Sequence, residues 1–118
     1  MIWFGWDDLD RDIWKTRRDN VFKTLLSNPK AKFVIRALQF GSEPLFDSAL
    51  DPELLAQQVR AAKDTLASLE IPVTVSDMAY GFQKHGGAPD VLAAIDVIDA
   101  HILPFFASDA STGECFKD

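Results

Sequence analysis

Cysteine is nearly absent from this 118-residue chain, which contains only Cys115. A single thiol forms neither an internal disulfide nor a cysteine zinc site, so cysteine usage leaves the redox compartment open. No apolar run approaches the ~20 residues that a membrane-spanning helix needs. The first residues also lack a basic region followed by a long apolar segment and a cleavage site, so we expect no export signal and no membrane partner for this chain.

Basic residues are few and scattered: 12 lysines and arginines stand against 18 acids, which gives a formal charge of −6. This balance opposes binding to a phosphate backbone, and we expect no nucleic-acid partner. The chain has no G-x-G-x-x-G, P-loop or G-x-S-x-G motif, so dinucleotide, nucleoside triphosphate and acyl-enzyme chemistry have no sequence basis. No set of histidine and acidic residues has metal-ligand spacing, so we predict neither a metal nor another cofactor.

The chain contains enough apolar material for one core, because 47% of its residues are hydrophobic, nine Phe and three Trp among them. We therefore predict one domain over residues 1–118. Strand-like and helix-like segments alternate, with strands predicted at 2–6, 33–40, 72–77 and 100–103. Asp51-Pro52 is a typical helix start, and the apolar spacing that follows marks a buried helix face.

Strands separated by helices indicate right-handed crossovers and a parallel sheet, hence an α/β fold. A doubly wound sheet and part of a TIM (β/α)8 barrel both fit this order. The strand starts recur about every 30 residues, as in a barrel of eight units, so four units make about half a barrel. Such a piece would leave strand edges unpaired, and we expect self-association through them.

In both architectures the chemistry lies beyond the carboxyl ends of the strands. Glu43 follows the second predicted strand, and Pro44 after it favours an extended backbone that would carry the side chain on the last pleat. Gly41 before it permits a bend or the close approach of a ligand. Asp77 ends the neighbouring strand, about 4.8 Å away, so its carboxylate could approach Glu43 and act as the nucleophile beside that acid. We favour the alternative that Asp77 positions Glu43 or contacts a substrate. Tyr80 follows Asp77 in the segment Asp77-Met78-Ala79-Tyr80.

Three stretches resemble one known enzyme family. FVIRALQFGSEPLF (33–46) resembles the strand end that carries Gly-Asn-Glu and the general acid/base in retaining (β/α)8 glycoside hydrolases. IPVTVSDMAYGF (71–82) and IDAHILPFFA (98–107) resemble the next two strands of glycoside hydrolase family 17, the fungal-type β-1,3-glucanases and glucanosyltransferases. The resemblance covers about strands three to six of that barrel. It implies action on the polysaccharide β-1,3-glucan, by hydrolysis or glucan transfer, and an extracellular or cell-wall location.

The resemblance also implies roles for individual residues. Glu43 would be the proton donor, and Ser42 stands where the family has an asparagine that binds the sugar 2-hydroxyl. His101 falls at a position that points into the cleft, while Tyr80 and Trp6, near the carboxyl edge of the sheet, are candidates for contact with sugar. The retaining mechanism also needs a nucleophilic carboxylate about 5 to 5.5 Å from the acid. The family takes it from a seventh strand outside this chain, so we expect the chain alone to be inactive.

Two other functions remain open at this stage. A truncated carbohydrate-binding remnant would keep the same sheet edge without catalysis. A phosphate-accepting receiver-like signalling module would hold Mg²⁺ with Asp7, Asp8 and the acceptor Asp77. That module needs a lysine at the end of a fifth strand, and Lys117 instead follows a polar tail.

Overall fold

The computed structural model of the protein describes residues 1–2 and 13–103. Within these residues, six elements are helical or turn-like and three are strands. In chain order they are α1 (Ile13–Ser27), α2 (Ala31–Val34), β1 (Leu38–Ser42), α3 (Pro52–Thr65), a 3₁₀ turn (Ala67–Leu69), β2 (Val73–Met78), α4 (Ala79–Lys84), α5 (Pro89–Ala94) and β3 (Asp99–His101). The predicted alternation of strands and helices is confirmed.

The strands form one parallel sheet in the order β1-β2-β3. Ile2 extends it on the outer side of β1 through a parallel bridge to Phe40. In that bridge the Ile2 N–H donates to the Gln39 carbonyl at 2.8 Å, and the Gly41 N–H donates to the Ile2 carbonyl at 2.7 Å. The predicted α/β fold with parallel strands is therefore confirmed. Of the strand predicted at 2–6, the described residues include Ile2 alone.

The strand predicted at 33–40, buried on both faces, is wrong in its first half. The chain there forms the short helix α2, and Phe33 is 76% exposed. Asn28 starts this turn, since its carbonyl accepts from Ala31 N–H at 3.0 Å and its side chain accepts from Lys30 N–H at 3.0 Å. These local hydrogen bonds favour a helical turn, so the strand begins only at Leu38.

The helix predicted after Asp51-Pro52 is confirmed as α3. The Asp51 carboxylate accepts from the Glu53 N–H at 2.9 Å, which caps the first turn, and Pro52 occupies the first helical position. The buried side chains of α3 pack in one core cluster with residues of β1 and β2. They are Leu55, Ala56, Val59 and Ala62. Burial of this apolar face stabilises the helix against the sheet.

The connecting helices lie side by side. Arg18 of α1 donates to the Gln58 side chain of α3 at 2.6 Å. On the other side of α3, Arg60 donates to the Asp90 carbonyl of α5 at 3.2 Å. The helices α1, α3 and α5 thus stand next to one another in the same order as the strands they connect.

The central strand β2 is buried along almost its whole length. Asp96 holds its first residue, because one carboxylate oxygen accepts from the Val73 N–H at 2.8 Å and the other pairs with Lys63 Nζ at 2.7 Å.

Among residues 1–2 and 13–103, no helix is long and apolar enough to cross a membrane.

Candidate functional site at the carboxyl edge of the sheet

A β-bulge at Gly41 sets the direction in which the chain leaves β1. Phe40 pairs with Val75 and Ser42 pairs with Ser76, so Gly41 is an extra residue on β1, with φ of 69°. A glycine takes this left-handed conformation without steric cost, and bulges of this kind redirect the following side chain.

Glu43 also has a left-handed backbone, with φ of 57°. The extended backbone that Pro44 led us to expect is therefore wrong, because the bulge has already turned the chain. The Glu43 N–H donates to the Ser76 carbonyl at 2.7 Å and anchors this turn to β2. A non-glycine residue in this region costs of order 1 kcal/mol or more, and such positions cluster at functional sites.

The Glu43 carboxylate is held by the histidine that ends β3. His101 Nδ1 lies 2.7 Å from Glu43 Oε1, although the two residues are 58 positions apart in the chain. The His101 side chain is 28% exposed and the Glu43 side chain is 23% exposed. The other ring nitrogen, Nε2, lies 2.5 Å from the Ser76 hydroxyl oxygen, and Ser76 is only 1% exposed. A partly exposed carboxylate is thus connected through one imidazole to a buried hydroxyl.

Asp77, predicted to contact substrate or to position Glu43, is fully buried. Its Oδ2 accepts from the Leu45 N–H at 2.7 Å and the Phe46 N–H at 3.4 Å, and its Oδ1 accepts from the Met78 N–H at 2.8 Å. Burial raises the pKa of Asp77 above its ordinary value, against the lowering effect of these three N–H groups, and the charge of Glu43 raises it further. Asp77 therefore holds the turn after Glu43, and its burial removes it from direct contact with a substrate.

Gly81 of α4 leaves the space that Asp77 occupies. A Cβ atom at position 81 would lie 2.1 Å from Asp77 Oδ1 and 2.9 Å from the Phe46 amide nitrogen. No real side chain tolerates the first of these contacts. The glycine is therefore required by the close approach of a carboxylate to the helix.

An exposed aromatic pair follows on the same loop and on α4. Tyr80 is 58% exposed, and its ring meets the Phe46 ring edge-on, with centroids 6.1 Å apart. Lys84 holds this loop through the Phe46 carbonyl at 3.2 Å and the Ser48 hydroxyl at 2.9 Å, and His85 Nε2 lies 2.9 Å from the Leu45 carbonyl. The Tyr80–Phe46 pair presents an apolar surface, and Lys84 and His85 hold the loop that carries Phe46.

A further acid, Asp47, lies in the same turn as Glu43, because its N–H donates to the Glu43 carbonyl at 2.9 Å. Burial raises the pKa of Asp47, the charge of Glu43 raises it further, and Lys84 lowers it. Sequence reasoning did not single out Asp47, Ser76 or Phe46. The available signal for Ser76 was the presence of polar residues, Thr74, Ser76 and Asp77, within the short strand segment VTVSDM.

The structure thus brings together three of the predicted site residues at one point, with Ser42 as the last residue of β1, Glu43 directly after it, and His101 bonded to Glu43. Tyr80 lies on the neighbouring helix. Trp6 lies outside the described residues. Asp7 and Asp8, the expected Mg²⁺ ligands of the receiver-like alternative, also lie outside them. The buried and triply bonded Asp77 is not accessible to a phosphoryl donor, which counts against that alternative.

Within the part of the chain that the structure describes, no group of three or more His, Cys, Asp or Glu side chains is placed to hold a metal ion. Comparison with known proteins returned no matching family model, no matching curated protein and no matching solved structure.

Proposed function

We propose that this chain is a glycoside hydrolase-like protein of the family 17 type that acts on β-1,3-glucan, with Glu43 as general acid/base. One observation carries the proposal. A partly exposed carboxylate stands at the carboxyl end of a parallel strand, on a backbone turned by a bulge, with one oxygen held by His101. Among the described residues, the other oxygen, Oε2, has no hydrogen-bond partner, so it is available to a substrate.

The arrangement of the helices agrees with a segment of a (β/α)8 barrel, the architecture that the proposed family implies. In a barrel every connecting helix lies on the same side of the sheet, whereas a doubly wound fold places helices on both sides. Side chains of α1 and α5 both bond to α3, from opposite sides. A barrel has connecting helices that follow one another in this way, and one half of a doubly wound sheet has them too.

The chemistry follows from the two oxygens of Glu43. With Oε1 held by His101, Oε2 carries the proton that passes to the glycosidic oxygen as the bond to the anomeric carbon breaks. A nucleophile on the opposite side attacks that carbon and forms a glycosyl intermediate. The resulting Glu43 carboxylate then takes a proton from an incoming water or sugar hydroxyl, whose oxygen attacks the same carbon and displaces the nucleophile. Asp77 is buried and bonded to three amides, so it is not this nucleophile. We assign the nucleophile to a position outside this chain.

The exposed Tyr80–Phe46 pair supports a carbohydrate partner, because the apolar faces of glucose units stack on such rings. The same pair favours a second candidate, a carbohydrate-binding remnant that holds glucan without cleaving it. Both candidates agree with the extracellular or cell-wall location that the family resemblance implies.

An external nucleophile separates the two candidates. We would incubate the 118-residue chain with β-1,3-linked gluco-oligosaccharides in the presence and absence of azide, and analyse the products by mass spectrometry. If Glu43 donates the proton, azide attacks the anomeric carbon and yields a glycosyl azide and a shortened oligosaccharide. The isosteric variant Glu43→Gln should lose this product by about 10²- to 10⁴-fold, the usual contribution of a general acid.

The controls make each result decisive. The variant Asp64→Asn, on the exposed side of α3, should react like the natural chain. Oligosaccharide binding without azide product would favour the remnant. Turnover without azide would show that the chain supplies its own nucleophile and would overturn our placement of that group. Equal turnover by Glu43→Gln would remove Glu43 from the acid/base role.

A further inference from the structure

The hydrogen-bond chain from Ser76 through His101 to Glu43 fixes more than the position of a ring. We propose that the Glu43 carboxylate sets His101 in the tautomer with its proton on Nδ1, and that the buried Ser76 hydroxyl donates to Nε2 and keeps the ring in place. His101 thereby acts as a positioning residue that donates to Glu43 Oε1 and leaves Oε2 for proton transfer. The structural part of this proposal stands alone, and its catalytic part rests on the function proposed above.

The tautomer follows from what each partner can do. An ionised carboxylate only accepts hydrogen bonds, so the Nδ1 that lies 2.7 Å from Glu43 Oε1 must carry hydrogen. A neutral imidazole has one N–H, so Nε2 is then an acceptor. The partner of Nε2 must donate, and the Ser76 hydroxyl at 2.5 Å can rotate to do so. The opposite tautomer would place two acceptors face to face at Glu43.

Ser76 suits this role because it is buried in the central strand of the sheet. A serine, a histidine and a carboxylate in this order also describe a nucleophilic triad. The nucleophile of a triad must reach its substrate, however, and Ser76 is 1% exposed. The buried hydroxyl therefore supports the imidazole, which in turn holds the partly exposed carboxylate. We expect no labelling of Ser76 by a fluorophosphonate probe, and labelling would overturn the assignment.

The second histidine of the chain provides an internal reference. His85 Nε2 lies 2.9 Å from the Leu45 carbonyl, which can only accept. His85 must therefore carry hydrogen on Nε2, whatever its charge. The structure thus assigns opposite tautomers to the only two histidines, and one spectrum reports both.

The test is long-range ¹H–¹⁵N correlation spectroscopy of the imidazole rings at about pH 9, above the usual titration range of histidine. In the natural chain His101 should show the Nδ1–H pattern and His85 the Nε2–H pattern. In Ser76→Ala, His101 should keep the Nδ1–H pattern but show a shifted Nε2 resonance, because that nitrogen loses its hydrogen-bond donor. In Glu43→Ala, His101 should lose its preference for Nδ1–H, because the Ser76 hydroxyl can donate or accept. His85 should stay unchanged in both variants. The matched control is Thr74→Val, which removes another buried hydroxyl of β2, one that donates to the Val97 carbonyl at 2.7 Å. It should leave both rings as they are.

Three results overturn the proposal: an Nε2–H pattern for His101 in the natural chain, an unchanged Nε2 resonance of His101 in Ser76→Ala, or an unchanged Nδ1–H pattern of His101 in Glu43→Ala. The azide-dependent reaction tests the positioning role. There we expect kcat to fall about tenfold in Ser76→Ala with little change in KM, by analogy with metal-ligating histidines, for which loss of the outer hydrogen-bond partner typically costs 10- to 100-fold. Unchanged kcat in Ser76→Ala, with turnover lost in Glu43→Gln, would refute that role. Absence of turnover in the natural chain, with the expected tautomers present, would refute the glycosidase function and support the hydrogen-bond assignment.

Discussion

Replacing Asp77 with alanine should destabilise the fold and release the turn that follows Glu43. The substitution removes two short hydrogen bonds, from Leu45 N–H and Met78 N–H, and one long bond from Phe46 N–H. A hydrogen bond to a charged acceptor contributes about 1.5–3 kcal/mol net, so two good bonds amount to about 3–6 kcal/mol. Burial of the carboxylate, which raises the pKa of Asp77, offsets part of this. We expect a net loss of about 2–4 kcal/mol in the free energy of unfolding.

Urea denaturation followed by tryptophan fluorescence measures this loss. A decrease of about 1–2 M in the midpoint is expected for a domain of this size. Asp77→Asn keeps one acceptor oxygen and should lose less than Asp77→Ala, while the exposed Asp64→Asn should be neutral. A midpoint for Asp77→Ala within about 0.3 M of the natural chain would refute the role assigned to these three hydrogen bonds.

The pH dependence of stability tests the same carboxyl. The pKa of Asp77 is raised in the folded state, so the folded chain binds a proton there more readily than the unfolded chain does. The contribution of Asp77 therefore becomes less favourable as the pH rises from about 3.8 through the raised pKa, and it is constant above that. Asp77→Asn should abolish this component. If the unfolding free energy changes with pH equally in Asp77→Asn and in the natural chain over that window, the raised pKa of Asp77 is contradicted.

Three other predictions concern single groups. Gly81→Ala should destabilise the fold by about 1–2 kcal/mol, although alanine favours a helix by about 1 kcal/mol, because its Cβ would collide with Asp77; a raised melting temperature would contradict this. The hydrogen bond from Lys63 and, second, the Val73 N–H lower the pKa of Asp96. Asp96→Asn should therefore remove stability that is present above about pH 3.8 and is lost as the pH falls through the lowered pKa. An unchanged dependence of the unfolding free energy on pH in this acidic range would contradict this role of Asp96. Ile98 and Ile102, which flank β3, are exposed and should promote self-association. Light scattering that shows a stable monomer at all concentrations would contradict this expectation.

Local signals in the sequence were sufficient for the elements whose ends carry strong chemistry. Asp51 and Pro52 predicted the start of α3 because a side-chain cap and a fixed φ act on neighbouring residues. The strand predicted at 72–77 is observed as β2 with bounds that differ by one residue at each end. The strand at 33–40 failed in its first half because apolar side chains such as Phe33 need not be buried, and Asn28 already directs the chain into a helical turn.

The candidate site was predictable in its position but only partly in its contacts. The placement of Glu43 after a parallel strand followed from the chain order. Its bond to His101 joins residues 58 positions apart, and no local pattern reports such a pair. The left-handed backbone at Glu43 depends on a bulge in the pairing of two strands, which a single sequence does not encode locally. Burial of Asp77 likewise depends on the space that Gly81 leaves in another element.

Whether Glu43 faces a sugar is tested most directly by titrating the ¹⁵N-labelled chain with a β-1,3-linked gluco-oligosaccharide and mapping the resonances that shift. We predict saturable shifts concentrated at Glu43, His101 and Tyr80, with little change at the opposite edge of the sheet around Lys63 and Asp96. Saturable shifts confined to another surface, or no shifts at millimolar sugar, would contradict the proposal that this carboxylate serves a glucan-binding site.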